Sequence, residues 1–188
     1  MAMATATARE RLLEAADDLF YRVGVQTVGI DRVIEQAGVA KGSLYNTFGS
    51  KEALVEAYLD GRRARLAGQI MRHVSSYDEP RAKILGVFEA LSEIVQEPSY
   101  RGCAFALASA EAPSDGLVVH AAATYRSWVR SLFADLAGEA GATDPALLSR
   151  QLHLLYDGTS QAARMDRNLS AGAEARAVAS LLLDASLT

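Results

Sequence analysis

Residues 37–54, AGVAKGSLYNTFGSKEAL, gather the side chains best suited to chemistry in this 188-residue chain. Lys41 and Lys51 bring fixed positive charge for phosphate oxygens, and Ser43, Tyr45, Asn46 and Thr47 bring hydroxyl and amide groups that both donate and accept. Gly42 allows another backbone to come close. Between Val39 and Lys51 there are two lysines and no acid, so the stretch is locally positive. Such a set can recognise a polyanion, with the lysines neutralising phosphates and Ser43 and Asn46 reaching phosphates or base edges. The candidate DNA contacts are therefore Lys41, Gly42, Ser43, Tyr45, Asn46, Thr47 and Lys51.

Two short helices must hold these groups. Ile30, Val33, Ile34 and Ala37 repeat at helical spacing, and Gly38 follows as the residue that takes the left-handed position without a Cβ penalty, so one helix ends there. After the turn, Leu44 and Phe48 lie four apart on one face and leave the polar residues on the other. Two short helices joined by a tight, glycine-containing turn form the arrangement in which the second helix enters the DNA major groove. Similar turns also join amphipathic helices in all-helical domains that bind no DNA, and spacing alone leaves both readings open.

The wider pattern favours one of them. Ala15-Ala16, Leu19-Phe20, Gly24, the Ala37-Gly38-Val39 turn, Gly42, Leu44-Tyr45, Phe48, Ser50-Lys51-Glu52 and Leu54 fall within residues 8–59. This stretch, roughly the first third of the chain, resembles the N-terminal domain of the tetracycline-repressor (TetR) family of bacterial transcriptional regulators. One departure is Gly29, where family members often carry Thr or Ser to cap the second helix and touch a phosphate; glycine is an acceptable N-cap but supplies no side-chain oxygen.

The rest of the chain sets the frame. Half of the residues are apolar, ample for a buried core, and the length suits one domain or two small ones. The first ten residues, MAMATATARE, contain neither a basic nor an apolar leader segment, and no apolar run approaches the ~18 residues of a membrane span, so a cytoplasmic protein without a membrane partner is expected. One cysteine and three scattered histidines offer no disulfide, no metal-ligand spacing and no cofactor site. Net charge is −4 overall and −1 over residues 1–63, which is low for a DNA binder. Affinity must then come from few contacts, which favours a dimer on two half-sites of a double-stranded operator.

Helical spacing continues to the C-terminus, and an all-α fold of about nine helices is expected. The anticipated domains are a three-helix helix-turn-helix unit over 1–52 and a helical effector-binding and dimerisation unit over 53–188. The first helix spans about Thr7 to Val23, Ser50 caps the fourth, Pro80 opens the fifth, a seventh follows Asp115, and Asp144-Pro145 begins an eighth that runs to about Leu169.

Two C-terminal sets are candidates for binding. Phe88, Leu91, Cys103, Tyr125, Trp128 and Tyr156 are bulky residues of the kind that line a ligand pocket, although for each one ordinary core packing is the competing account. The last two helices carry more apolar surface than one core requires, and Leu148, Leu155, Ala162, Val178 and Leu182 are the candidate dimer-interface residues. The resemblance implies the same division: an inducer held in the helical C-terminal domain, and a four-helix dimer interface built from the last two helices of each subunit. Cys103 follows Arg101, which would lower a thiol pKa, but Ala104, Phe105 and Ala106 point to burial, where cysteine behaves as a small hydrophobe.

The sequence thus points to a DNA-binding transcriptional regulator and not an enzyme, a homodimeric repressor released by a small apolar or amphipathic effector. The rival classes are a non-specific architectural DNA protein, which usually carries a basic overall charge, and a helical small-molecule-binding protein or enzyme without specific DNA binding, for which no catalytic motif is present.

Overall fold

The computed structural model describes residues 6–112 and 116–187. The leader reading of residues 1–5 and the start signal at Asp115 lie outside the described residues. Among these, nine helices succeed one another: α1 (Ala8–Val23), α2 (Ile30–Ala37), α3 (Lys41–Phe48), α4 (Lys51–Val74), α5 (Pro80–Gln96), α6 (Ala104–Glu111), α7 (Leu117–Glu139), α8 (Pro145–Met165) and α9 (Ala171–Ser186). The extended pairing described is an isolated antiparallel bridge between Ala142 and Leu187. Among the described residues no helix is long and apolar enough to cross a membrane, and no group of three or more His, Cys, Asp or Glu is placed to hold a metal ion.

Two compact units emerge, one of residues 1–63 with 104–123, the other of 64–103 with 124–188. The boundary expected between residues 52 and 53 falls at the start of α4, whereas the units divide inside α4 after Arg63. Helix α6 and the beginning of α7 join the N-terminal helices, an association across the intervening residues 64–103 that no local sequence signal announces.

In the first unit Thr7 and Glu10 form a reciprocal capping box that starts α1, with Thr7 Oγ1 accepting the Glu10 N–H at 3.2 Å and Glu10 Oε2 accepting the Thr7 N–H at 2.7 Å. The Thr7 N–H and the Thr7 hydroxyl, which donates to the same oxygen at 3.0 Å, hold the Glu10 carboxyl below its usual range. The helix then buries Leu12, Ala16, Leu19 and Phe20 at the spacing of one face, and Val28 of the turn before α2, Val33 of α2, Leu44 of α3 and Leu54 of α4 are buried in the same unit. Arg62 of α4 ties back to α1. Its guanidinium lies 3.7 Å from the centroid of the Tyr21 ring and donates to Asp17 at 3.0 Å.

In the second unit α5 packs on α8 and α9, and α8 packs on α9. Ile84, Val87, Phe88 and Leu91 of α5 are buried, and Phe88 stacks on Phe133 of α7 with centroids 5.7 Å apart. At the α5–α9 crossing a Cβ on Gly172 would lie 2.5 Å from Ser92 Cα, so only glycine permits that approach. Asp144 accepts the Leu147 N–H at 2.9 Å and caps α8 as anticipated. The helix ends at Met165, four residues before Leu169, because Arg167 takes a left-handed φ of 55° and turns the chain toward α9.

Candidate nucleic-acid interface

The turn between α2 and α3 is fixed by backbone geometry. Gly38 adopts φ 62° and ψ 41°, its N–H bonds the Glu35 carbonyl at 3.1 Å, and the Val39 N–H bonds the Ile34 carbonyl at 3.3 Å. This is the paired-bond helix stop that requires a left-handed residue. Arg11 of α1 adds a tie from outside, donating to the Gly38 carbonyl at 3.2 Å. At the other end Gly29 gives α2 no side-chain cap, so its early N–H groups have no hydroxyl partner there.

Helix α3 anchors through one side and leaves the other open. Leu44 is fully buried, and Phe48 is half-buried beneath Arg9, whose guanidinium carbon lies 5.5 Å from the ring centroid. Lys41, Gly42, Tyr45, Asn46 and Thr47 are exposed, Tyr45 at 46%, and Ser43 is half-buried. Nothing lies within 4 Å of where a Gly42 Cβ would stand. No packing inside the chain therefore requires glycine at that position, although glycine weakens a helix relative to alanine.

Two of the candidate contact groups are engaged locally. Lys41 Nζ lies 2.9 Å from Asp31 Oδ1, with both side chains in solvent, and the hydrogen bond and charge of Asp31 raise the lysine pKa. An exposed pair of this kind is weak, and phosphates can compete for the lysine. Thr47 Oγ1 donates to the Ser43 carbonyl at 2.6 Å, so its hydroxyl offers only its lone pairs outward. Ser50 Oγ accepts the Ala53 N–H at 3.1 Å and starts α4, placing Lys51 in the first turn beside the exit of α3. Glu52 is held below the usual carboxyl range by a backbone N–H and by the Ser50 hydroxyl. The sequence reading missed Arg9, Arg11 and Asp31, which face the motif from elements whose orientation only the packing reveals.

The candidate ligand residues all fall in the second unit. Phe88, Leu91, Tyr125 and Tyr156 are buried, while Cys103 and Trp128 are half-buried. Tyr125 stacks on Trp128 with centroids 6.2 Å apart, and its hydroxyl makes a short hydrogen bond with that of Tyr156. Burial pushes both phenols well above their ordinary range. His153, buried beside Tyr156, is driven below its ordinary value by desolvation, which the Asp157 carboxylate partly opposes. A separate open cleft of about 420 Å³ lies between Tyr77, Arg81, Leu85, Glu89 and Arg176, and none of the six candidate residues lines it.

The candidate dimer residues divide. Leu148, 1% exposed, belongs to the protomer's own core stripe with Leu152, Tyr156, Thr159 and Ala163. Leu155, Ala162 and Leu182 are half-buried, and Val178 is exposed. The outward stripe consists of Leu147, Leu154 and Met165 on α8 with Val178 and Leu181 on α9, Leu154 at 72% and Leu181 at 68%. Leu147 and Leu148 are adjacent on a helix, so a shift of one residue moves the expectation by 100°.

Residues 12–58, from the core of α1 through α3 into α4, match the profile of bacterial regulatory proteins of the tetR family. Over 91 residues the chain is 31% identical to the transcriptional repressor KstR2 of Mycolicibacterium smegmatis, a match over 48% of this chain and 44% of that one. The chain thus spans less than half the length of the first curated relatives it matches. Two solved structures extend the likeness to both units. A TetR-family transcriptional regulator from Streptomyces coelicolor is 28% identical with a TM-score of 0.90, covering 96% of each chain. A TetR-type transcriptional regulator from Streptomyces avermitilis is 34% identical with a TM-score of 0.85, covering 96% of this chain and 98% of that one. With the glycine-stopped turn and open-faced third helix in place, and identity above 30% maintained along almost the whole of a family member, this chain belongs to the tetR family of bacterial regulatory proteins.

Proposed function

We propose that this protein is a sequence-specific DNA-binding transcriptional regulator that acts as a homodimer, represses in the unliganded state and is released by a small apolar or amphipathic effector. The observation that carries the DNA reading is the open face of α3. Leu44 anchors the helix while Lys41, Gly42, Tyr45 and Asn46 stand in solvent, and the glycine has no intramolecular reason to be there. In this reading residues 1–52 form the DNA-binding domain and 53–188 the effector and dimer domain. Lys41 and Lys51 neutralise phosphates, Ser43 and Asn46 approach phosphates or base edges, and Tyr45 and Thr47 contact the backbone.

Selection of bound sites from random double-stranded DNA tests the reading directly, and a paired-half-site consensus is the expected outcome. Lys51→Ala should weaken all recovered sites alike and lower the salt slope by about one unit, whereas Asn46→Ala should alter base preference. Binding without any recovered preference would support an architectural protein instead, and the absence of DNA retention would favour a helical ligand-binding protein.

A further inference from the structure

Glu111, the last residue of α6, reaches the turn between α1 and α2, where its Oε2 accepts the Gln26 backbone N–H at 2.9 Å across 85 residues of sequence. Both ends of this bond lie in the same compact unit. The turn is shaped to receive the carboxylate. Gly24 has φ 117° and ψ 148°, a conformation that L side chains rarely adopt, and a Cβ there would fall 2.5 and 2.7 Å from the two Glu111 oxygens. The carboxylate occupies the space that a side chain on residue 24 would take.

The placement is costly to α6 itself. A negative charge at a helix C-terminus opposes the helix dipole, so an acid at the end of α6 is favoured only by a donor outside that helix. Gln26 N–H is that donor, and a carboxylate on a backbone N–H is among the stronger hydrogen bonds. The turn needs such an anchor. Between Gly24 and Ile30 its backbone is closed by the Val28 N–H on the Gly24 carbonyl at 3.3 Å, and Gly29 gives α2 no side-chain cap.

We propose that Glu111 is a positioning residue for DNA recognition, a distal latch that fixes the α1–α2 turn and hence the entry of α2, against which α3 is set. The proposal rests on the DNA-binding reading above. Its expected consequence is that α6 governs the order of the reading helices through one carboxylate, although it lies some fifty residues from them in sequence.

Amide hydrogen exchange and DNA binding of the full chain test this with Glu111→Met, which keeps length without an acceptor, and Glu111→Gln, whose side-chain carbonyl still accepts. Thermal melts identify any variant that fails to fold. Glu111→Met is expected to speed exchange at the Gln26 amide and to weaken binding to a site selected with the wild-type protein about tenfold, the size of one charge-assisted bond. Glu111→Gln should recover most of both. Unchanged Gln26 exchange in a folded Glu111→Met protein overturns the latch, and faster exchange with unaltered affinity overturns its role in recognition. Failure of the wild-type protein to select any site counts against the DNA reading instead, while the Gln26 exchange still decides the latch.

Discussion

Gly42 presents opposing demands on folding and recognition. With open space around its absent Cβ, Gly42→Ala meets no steric conflict inside the chain, and removing backbone freedom from the unfolded state should stabilise the protein by roughly 0.4–1 kcal/mol. The same methyl group would stand on the face of α3 proposed to meet DNA. Thermal denaturation should therefore show a raised Tm while operator affinity falls, and affinity at or above wild type would remove Gly42 from the contact set. His153 shows how burial acts on a single titrating group. Desolvation lowers its folded pKa below the ordinary 6.5, against the pull of Asp157 and with a further push from Arg126 and Arg130. The unfolded chain then binds the proton more readily, so the stabilisation is complete above pH 6.5 and is lost as pH falls toward the folded value. Urea unfolding measured across that window should show stability declining on acidification, with a shallower decline in His153→Gln.

At the scale of elements, α8 carries two apolar stripes with different duties. Leu148, Leu152, Tyr156 and Ala163 face the protomer's own core, whereas Leu147, Leu154 and Met165 stand in solvent beside Val178 and Leu181 of α9. Leu148→Ala should cost roughly 2–5 kcal/mol of folding stability. Leu154→Glu should leave the folded protomer almost unaffected, since its side chain is 72% exposed, yet would bury an unpaired charge in a dimer at a cost of several kcal/mol. Sedimentation should then show a folded monomer that has lost tight operator binding. A Leu154→Glu protein that remains dimeric would place the subunit contact elsewhere.

For the molecule as a whole, effector and DNA must be linked if one releases the other. An effector that prefers the DNA-incompetent state weakens operator binding by the same factor by which DNA weakens effector binding, and ~1–3 kcal/mol of coupling corresponds to about 5–150-fold. Trp128, the single tryptophan, is half-buried against Tyr125 in the second unit and so can report effector binding without ambiguity. Titration with apolar compounds should identify ligands that change its emission and release DNA in proportion. A ligand that shifts the emission with no effect on DNA would separate binding near Trp128 from regulation.

The limits of the sequence follow from the range over which its signals act. Helix starts and stops are local: the left-handed Gly38, Ser50, Pro80 and Asp144 each act within one turn, and each was legible from residue type and spacing. The buried and open sides of α3 were legible for the same reason, because Leu44 and Phe48 fix the helix phase and the polar residues take what remains. The phase of α8 was not. Leucines at 147, 148, 152, 154 and 155 surround most of the helix, so only packing against α9 and α7 decided which faced inward. Nor could the chain announce that Arg11 holds the Gly38 carbonyl, that Glu111 fills the space over Gly24, or that α6 belongs with the N-terminal helices. Those pairings join residues 27 to 87 positions apart, and with so many surface charges capable of similar bonds, only tertiary structure selects the partners that meet.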